Sequence, residues 1–99
     1  MHDSVLSMLG IAAKSGNVVS GEFSTEKAVK TGHAYLVIVS AEASGNTKKS
    51  FCNMTDFYHV PCYCYGSKEA LGRCIGKEFR ASLAVIDKGL AQAVLKKMN

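Results

Sequence analysis

The sequence predicts an α/β fold, a three-layer α/β/α sandwich built around a mixed sheet of about four strands. Three observations lead there. Segments of helical period alternate with short β-prone runs along the whole chain, the pattern of helices laid over both faces of a sheet. Ala34-Tyr35-Leu36-Val37-Ile38-Val39 is a continuous apolar run, and such a strand needs cover on both faces. With 99 residues, 47% of them hydrophobic, the chain has the apolar content for one core and too little length for a second.

Asp3 is placed to cap a first helix in which Val5, Leu6, Leu9, Ala12 and Ala13 recur at helical spacing, with Gly16 just past its end. Residues 17–20 form a short strand candidate. Gly21 then turns the chain into a second helix that runs through Lys27 and Lys30 and stops at Gly32. The run over 34–39 is expected to be the central strand. Ser44 or Asn46 can start a third helix, which carries Phe51, Met54, Thr55 and Tyr58 on one side, and Pro61 prevents it from continuing. Residues 62–65 read as the third strand, 67–74 as a capped fourth helix and 81–86 as another buried strand. Asp87 caps a last helix whose apolar stripe is Leu90, Val94, Leu95 and Met98, and Lys96 and Lys97 suit its C-terminal end. No repeat, low-complexity segment or long linker interrupts the series.

Twelve Lys and Arg against eight Asp and Glu give a net charge of +4, which favours an anionic partner only modestly. Cys52, Cys62, Cys64 and Cys74 include no Cys-x-x-Cys pair, so the usual zinc spacing is missing. Cys62 and Cys64 share one side of a predicted strand and read as small buried apolar groups; a metal or thiol role with His59 is the weaker alternative. Met1-His2-Asp3 lacks a basic leader, and Gly10, Lys14 and Gly16 interrupt the first apolar stretch, so neither a signal peptide nor a membrane span is expected. A reducing cytoplasm fits this cysteine usage.

The stretch from Tyr65 to Asp87 joins a capped helix, a glycine-punctuated basic loop and a buried strand, and carries Lys68, Arg73, Lys77 and Arg80. Gly72 allows close approach of a neighbouring backbone, and Gly76 supplies the left-handed residue that ends the helix. The layout suggests a polyanion site. It is not a nucleotide loop, because three residues, not four, separate Gly72 from Gly76, and Glu78 stands where Ser or Thr would bind magnesium. No Gly-x-Gly-x-x-Gly follows a strand. His2, His33 and His59 lie far apart with no nucleophile motif and read as surface or cap residues, so no catalysis is expected. In a sandwich of this kind, segments 21–27, 42–49 and 67–80 are expected to gather at one end of the sheet. The first offers helix N-terminal N–H groups, although Glu22 and Glu26 there can simply offset the helix dipole.

Tyr65-Gly66-Ser67-Lys68-Glu69-Ala70-Leu71-Gly72-Arg73, followed by Ile75-Gly76, closely resembles the ribosomal protein seven-Ae superfamily, and the resemblance runs from about Leu6 to Leu95. Ser20-Gly21-Glu22 with Lys27, Ala41-Glu42-Ala43-Ser44 with Asn46-Thr47-Lys48-Lys49, and Ile75-Gly76-Lys77-Glu78 are most similar to its bacterial YlxQ-type branch. The resemblance implies an α/β/α sandwich that binds kink-turn RNA. It matches Gly21 to the glycine opening the RNA-binding helix and Lys27 to the lysine reaching the tandem sheared guanine-adenine pairs. Glu22 lies between them, and Phe23 and Ser24 replace an Asn-Glu pair usual in archaeal and eukaryotic members. Segment 42–48 matches the loop beside the extruded nucleotide, with Lys48 in place of an apolar side chain. Lys68 matches a backbone-contacting lysine, and Ile75, Gly76 and Lys77 match the loop over the base stack. Lys77 and Arg80 are more basic than that loop usually is.

Phe23 reads first as a core or hinge-filling residue and second as a stacking face, since it cannot make the paired hydrogen bonds of Asn and Glu. The sequence thus predicts a non-catalytic, monomeric, cytoplasmic protein with one RNA-binding domain over 1–99. It would bind kink-turn-like structured RNA and associate with the ribosome, without cofactor, metal or membrane. The alternative is a protein-interaction module using Ile75 and Phe79 as its contact.

Overall fold

The computed structural model describes residues 3–98. Over that range the chain runs α1 (Ser4–Lys14), β1 (Val18–Ser20), α2 (Glu22–Lys30), β2 (Leu36–Val39), α3 (Gly45–Phe57), β3 (Cys62–Cys64), α4 (Lys68–Cys74), β4 (Ser82–Val85) and α5 (Lys88–Met98). Short polar side chains fix four of the helix starts. Asp3 accepts from Leu6 N at 3.0 Å, Ser44 from Thr47 N at 3.1 Å, Ser67 from Ala70 N at 3.0 Å and Asp87 from Leu90 N at 2.8 Å. Of the two candidate starts for α3, Ser44 is the one used.

Four helices end alike, with a left-handed residue after the C-cap and the following N–H returning to a carbonyl one turn back. The closing bonds are Asn17 N to Ala12 O at 2.9 Å, His33 N to Ala28 O at 2.9 Å, Val60 N to Thr55 O at 2.8 Å and Lys77 N to Gly72 O at 2.8 Å. Glycine holds the left-handed position after α1, α2 and α4, whereas α3 has His59 there at φ 60°. A residue with a Cβ pays about 1–2 kcal/mol for that conformation. Part of this is offset because glycine loses more backbone entropy on folding. His59→Gly is therefore expected to stabilise the fold by about 1 kcal/mol, raising Tm by about 4–8 °C in a thermal melt. An unchanged Tm would mean that the imidazole has contacts that offset the strain.

The sheet order is β1-β4-β2-β3, with β2 parallel to β3 and β4 antiparallel to both β1 and β2. The sheet is mixed, as the sequence predicts. β2 shares the interior with β4, and every residue of both strands is buried. On one face, Leu36, Ile38, Leu83 and Val85 pack against Val5, Leu9 and Ala12 of α1, Leu71 of α4 and Ala91 and Val94 of α5. On the other, Val37, Val39 and Ala84 meet Ala28 and Val29 of α2 and Phe51 of α3. These are the three expected layers.

Two expectations fail here, one on the edge strand β3 and one at the C-terminal end of α3. β3 is an edge strand with a neighbour on one side only, so Cys62 is half-buried and Cys64 exposed instead of both being core groups; Cys52 on α3 is exposed too. Tyr58 does not continue the buried side of α3. It is the C-cap, 40% exposed, and its ring packs edge-to-face on that of Phe57 at 5.0 Å. Among the described residues, no helix is long and apolar enough to cross a membrane.

Candidate nucleic-acid interface

Because β4 is antiparallel to its neighbours, the C-terminal ends of β1, β2 and β3 and the N-terminal end of β4 share one edge of the molecule. The turns leaving and entering those ends are joined by hydrogen bonds. Gly21 N donates to Ser82 O at 3.0 Å, and Ser40 N to Ala81 O at 2.8 Å. Ala41 N donates to Gly66 O at 2.9 Å, and Ser40 Oγ donates to the same carbonyl at 3.0 Å. Arg80 N donates to Lys68 O at 3.0 Å, while Lys68 N donates to Glu42 Oε1 at 2.9 Å. Arg80 Nε reaches Ser20 Oγ at 3.0 Å. The three segments that the sequence predicts at one end of the sheet are brought together there.

The first wall is the start of α2. Gly21 is its N-cap at φ 92°, ψ 158°, a conformation that side-chain-bearing residues rarely adopt, and no side chain caps the first turn. The N–H groups and the positive end of the helix dipole therefore face outward. Phe23 follows in that turn and is 78% exposed, so it is neither core nor hinge filler. A helix N-terminus at the end of the sheet has no layer above it to bury the ring. Lys27 lies four residues on, on the same helix face. The next row is Glu22, Glu26 and Lys30, in which Lys30 Nζ holds Glu26 at 2.6 Å; this carboxylate holds the Lys30 ammonium above its usual range. Glu22 is exposed and Ser24 half-buried. Thr25 and Ser82 carry buried hydroxyls with no hydrogen-bond partner among the described residues.

The opposite wall is α4 with the segment entering β4. A Cβ on Gly72 would lie 2.3 Å from Glu78 O and 2.8 Å from Phe79 N, so this segment lies directly on the helix at the glycine. Gly76, at φ 78°, turns the chain back toward it. Arg80 is oriented by Ser20 and by its own bond from Nη1 to Phe79 O at 2.8 Å. Lys77 is exposed. Ile75 is the C-cap of α4 and packs against the core, so of the two apolar residues offered as a protein contact only Phe79, 61% exposed, stands clear. Arg73 pairs with Glu69 at 3.3 Å, one turn back along α4.

The floor is the turn after β2. Lys48 does not belong to that turn: the Ser44 cap starts α3 early, and Lys48 sits half-buried within the helix. Glu42 caps α4, so its charge is engaged by a backbone N–H. Among the described residues, Lys30–Glu26 and Arg73–Glu69 are the only ion pairs, which leaves Lys27, Lys48, Lys68, Lys77 and Arg80 without carboxylate partners. The edge thus carries cationic side chains without carboxylate partners among the described residues, and α2 opens on it without a side-chain cap.

No group of three or more His, Cys, Asp or Glu among the described residues is arranged to hold a metal. Burial pushes the thiols of Cys62 and Cys74 up to about 11, which keeps them protonated and weakly nucleophilic at neutral pH. Tyr65 donates to Asp3 Oδ2 at 2.7 Å, and that carboxylate raises the phenol above its usual range; the bond ties the turn before α4 to the start of α1.

This arrangement has known counterparts. The chain is 37% identical over 92 residues to the RNA-binding protein YlxQ of Bacillus subtilis (strain 168), covering 93% of this chain and 92% of the relative. It is 35% identical over 80 residues to the large ribosomal subunit protein eL30 of Methanoregula boonei, covering 79% of each. A solved structure of a Bacillus halodurans protein of unknown function superposes with a TM-score of 0.94 at 34% identity, covering 98% of both chains. Residues 3–95 match the pattern of the ribosomal protein L7Ae/L30e/S12e/Gadd45 family. The chain belongs to that family, in its YlxQ-type branch.

Proposed function

We propose that this is a non-catalytic RNA-binding protein that takes a sharply bent, kink-turn-like RNA across the edge formed by Gly21, Lys27, Lys68, Gly76, Lys77 and Arg80. The observation that carries the reading is the hydrogen-bonded union of three separate turns into one cationic edge. Lys27, Lys68, Lys77 and Arg80 neutralise phosphates. Gly21 and Gly76 let the RNA approach the backbone, Glu22 and Ser24 offer polar groups beside the open N–H groups of α2, and Ile75 shapes the loop. Lys48 contributes charge from the first turns of α3. With Phe23 and Ser24 replacing a hydrogen-bonding pair, recognition rests more on shape and phosphates than on base edges. The YlxQ relative is named for RNA binding and the eL30 relative for the large ribosomal subunit, which supports a ribosome-associated, cytoplasmic role. The proposal includes a single RNA-binding domain over 1–99 that acts as a monomer. A gel shift comparing a kink-turn RNA with a straight duplex of equal length tests this. The bent RNA is expected to bind at least about tenfold tighter; equal affinity would reduce the edge to a general basic surface.

A further inference from the structure

We propose that Cys52 and Cys62 form a thiol-exchange site: a low-molecular-weight disulfide enters at Cys52 and leaves the two cysteines joined by a reversible bond that pins the edge strand β3 to α3. The pair is assembled around Thr55. Cys52, Thr55 and Asp56 are three and four residues apart and so share one face of α3. Thr55 Oγ1 donates to Phe51 O at 2.7 Å and to Cys52 O at 3.2 Å. Val60 N donates to Thr55 O at 2.8 Å, which brings the chain back onto that face two residues before β3 begins. Cys52, Thr55, Asp56, Val60 and Cys62 then line one hollow of about 180 Å3, and the Cys62 thiol has the side chains of Thr55 and Cys52 as its hydrogen-bond partners. Cys52 is exposed and Cys62 half-buried, so one thiol is open to a reagent and the other waits beside it. Cys64 is exposed but does not line the hollow, and Cys74 of α4 packs against the core on the other face of the sheet.

The exchange takes two steps. The Cys52 thiolate attacks one sulfur of the small disulfide, the S–S bond breaks, and the first small thiol leaves with the proton that Cys52 gave up. The Cys62 thiolate then attacks Cys52 Sγ, and the second small thiol leaves with the proton of Cys62. Both cysteines are oxidised, the small disulfide is reduced to two thiols, and an excess of small thiol reverses the sequence. Burial pushes the Cys62 thiol up to about 11, and the titratable groups around it are Cys52 and Asp56 across the hollow and Cys64 along β3. Closure is therefore the slow step at neutral pH and should quicken about tenfold per pH unit from about pH 7 to 9. The bond falls where the fold is least constrained. β3 has a neighbour on one side only, and the turn before it holds His59 in the left-handed conformation at φ 60°. A tie between residues 52 and 62 removes the freedom of that loop from the unfolded chain.

The test treats the reduced, full-length protein with glutathione disulfide and maps the product by mass spectrometry after chymotryptic digestion. Phe57, Tyr58 and Tyr63 separate Cys52, Cys62 and Cys64 into different fragments, so the linked pair can be read directly. The expected product is a monomer lighter by two hydrogens, with the fragments bearing Cys52 and Cys62 joined, restored to the starting mass by excess glutathione. Its Tm is expected to lie about 5–10 °C above that of the reduced protein. Cys64→Ser should leave the cross-link intact, and Cys52→Ser should abolish it; both positions are exposed, so neither variant threatens folding. Glutathione adducts that never close at about pH 9, or a bond to Cys64 in place of Cys62, would overturn the proposal. An oxidised protein that melts no higher than the reduced one would overturn the pinning of β3.

Discussion

Gly72→Ala is expected to destabilise the fold by about 2–3 kcal/mol, although alanine is the better helix former by about 1 kcal/mol. The added Cβ would stand 2.3 Å from Glu78 O, 2.5 Å from Glu78 C and 2.8 Å from Phe79 N. All three are backbone atoms and cannot rotate away as a flexible side chain would. Relief requires the segment before β4 to lift from α4, which strains the bonds from Lys77 N to Gly72 O and from Arg80 N to Lys68 O. RNA affinity should fall along with stability, because Lys77, Phe79 and Arg80 all ride on that segment. Denaturant unfolding reads the effect as a lower midpoint at unchanged slope. Gly45→Ala is the matched control: Gly45 is helical, and a Cβ there meets nothing within 4 Å. Its replacement should be neutral or slightly stabilising. A Gly72→Ala protein as stable as the parent would mean that the segment is not seated on the helix.

Features carried by local pattern were legible in the sequence. Asp3, Ser67 and Asp87 cap the helices predicted for them, and the apolar run over 34–39 contains an interior strand buried on both faces. Gly72 was readable as a point of close approach because a glycine inside a helix needs a reason. What the sequence missed depends on contacts distant along the chain. The Glu42 carboxylate caps a helix 26 residues away, and Ser20 orients Arg80 across 60 residues, so neither has a short-range signature. The edge position of β3 is equally non-local: Cys62-Tyr63-Cys64 has the composition of a buried strand, and strand order alone exposes it. Phe23 failed for a related reason. Its apolarity suggested burial, but exposure at a helix start depends on whether another element covers that end of the sheet.

Loss of Lys27 and Lys77 together should abolish most of the RNA affinity without touching stability. Each is exposed and has no carboxylate partner among the described residues, so neither contributes an ion pair to the fold. Lys27→Ala alone is expected to cost about 1–3 kcal/mol of binding, and each lysine removed from a phosphate should make the log-log salt slope shallower by about 1. The double variant would then lose about 2 units of slope. Lys30→Ala separates a specific edge from net charge, since it removes the same charge from the same helix three residues from Lys27. Its ammonium is already held by Glu26 at 2.6 Å, and losing that exposed pair should change affinity less than about twofold. Affinity measured over a range of salt for the three proteins decides the matter. Equal losses from Lys27→Ala and Lys30→Ala would point to long-range attraction by the +4 charge, and an unchanged slope in the double variant would remove these lysines from the phosphate contacts.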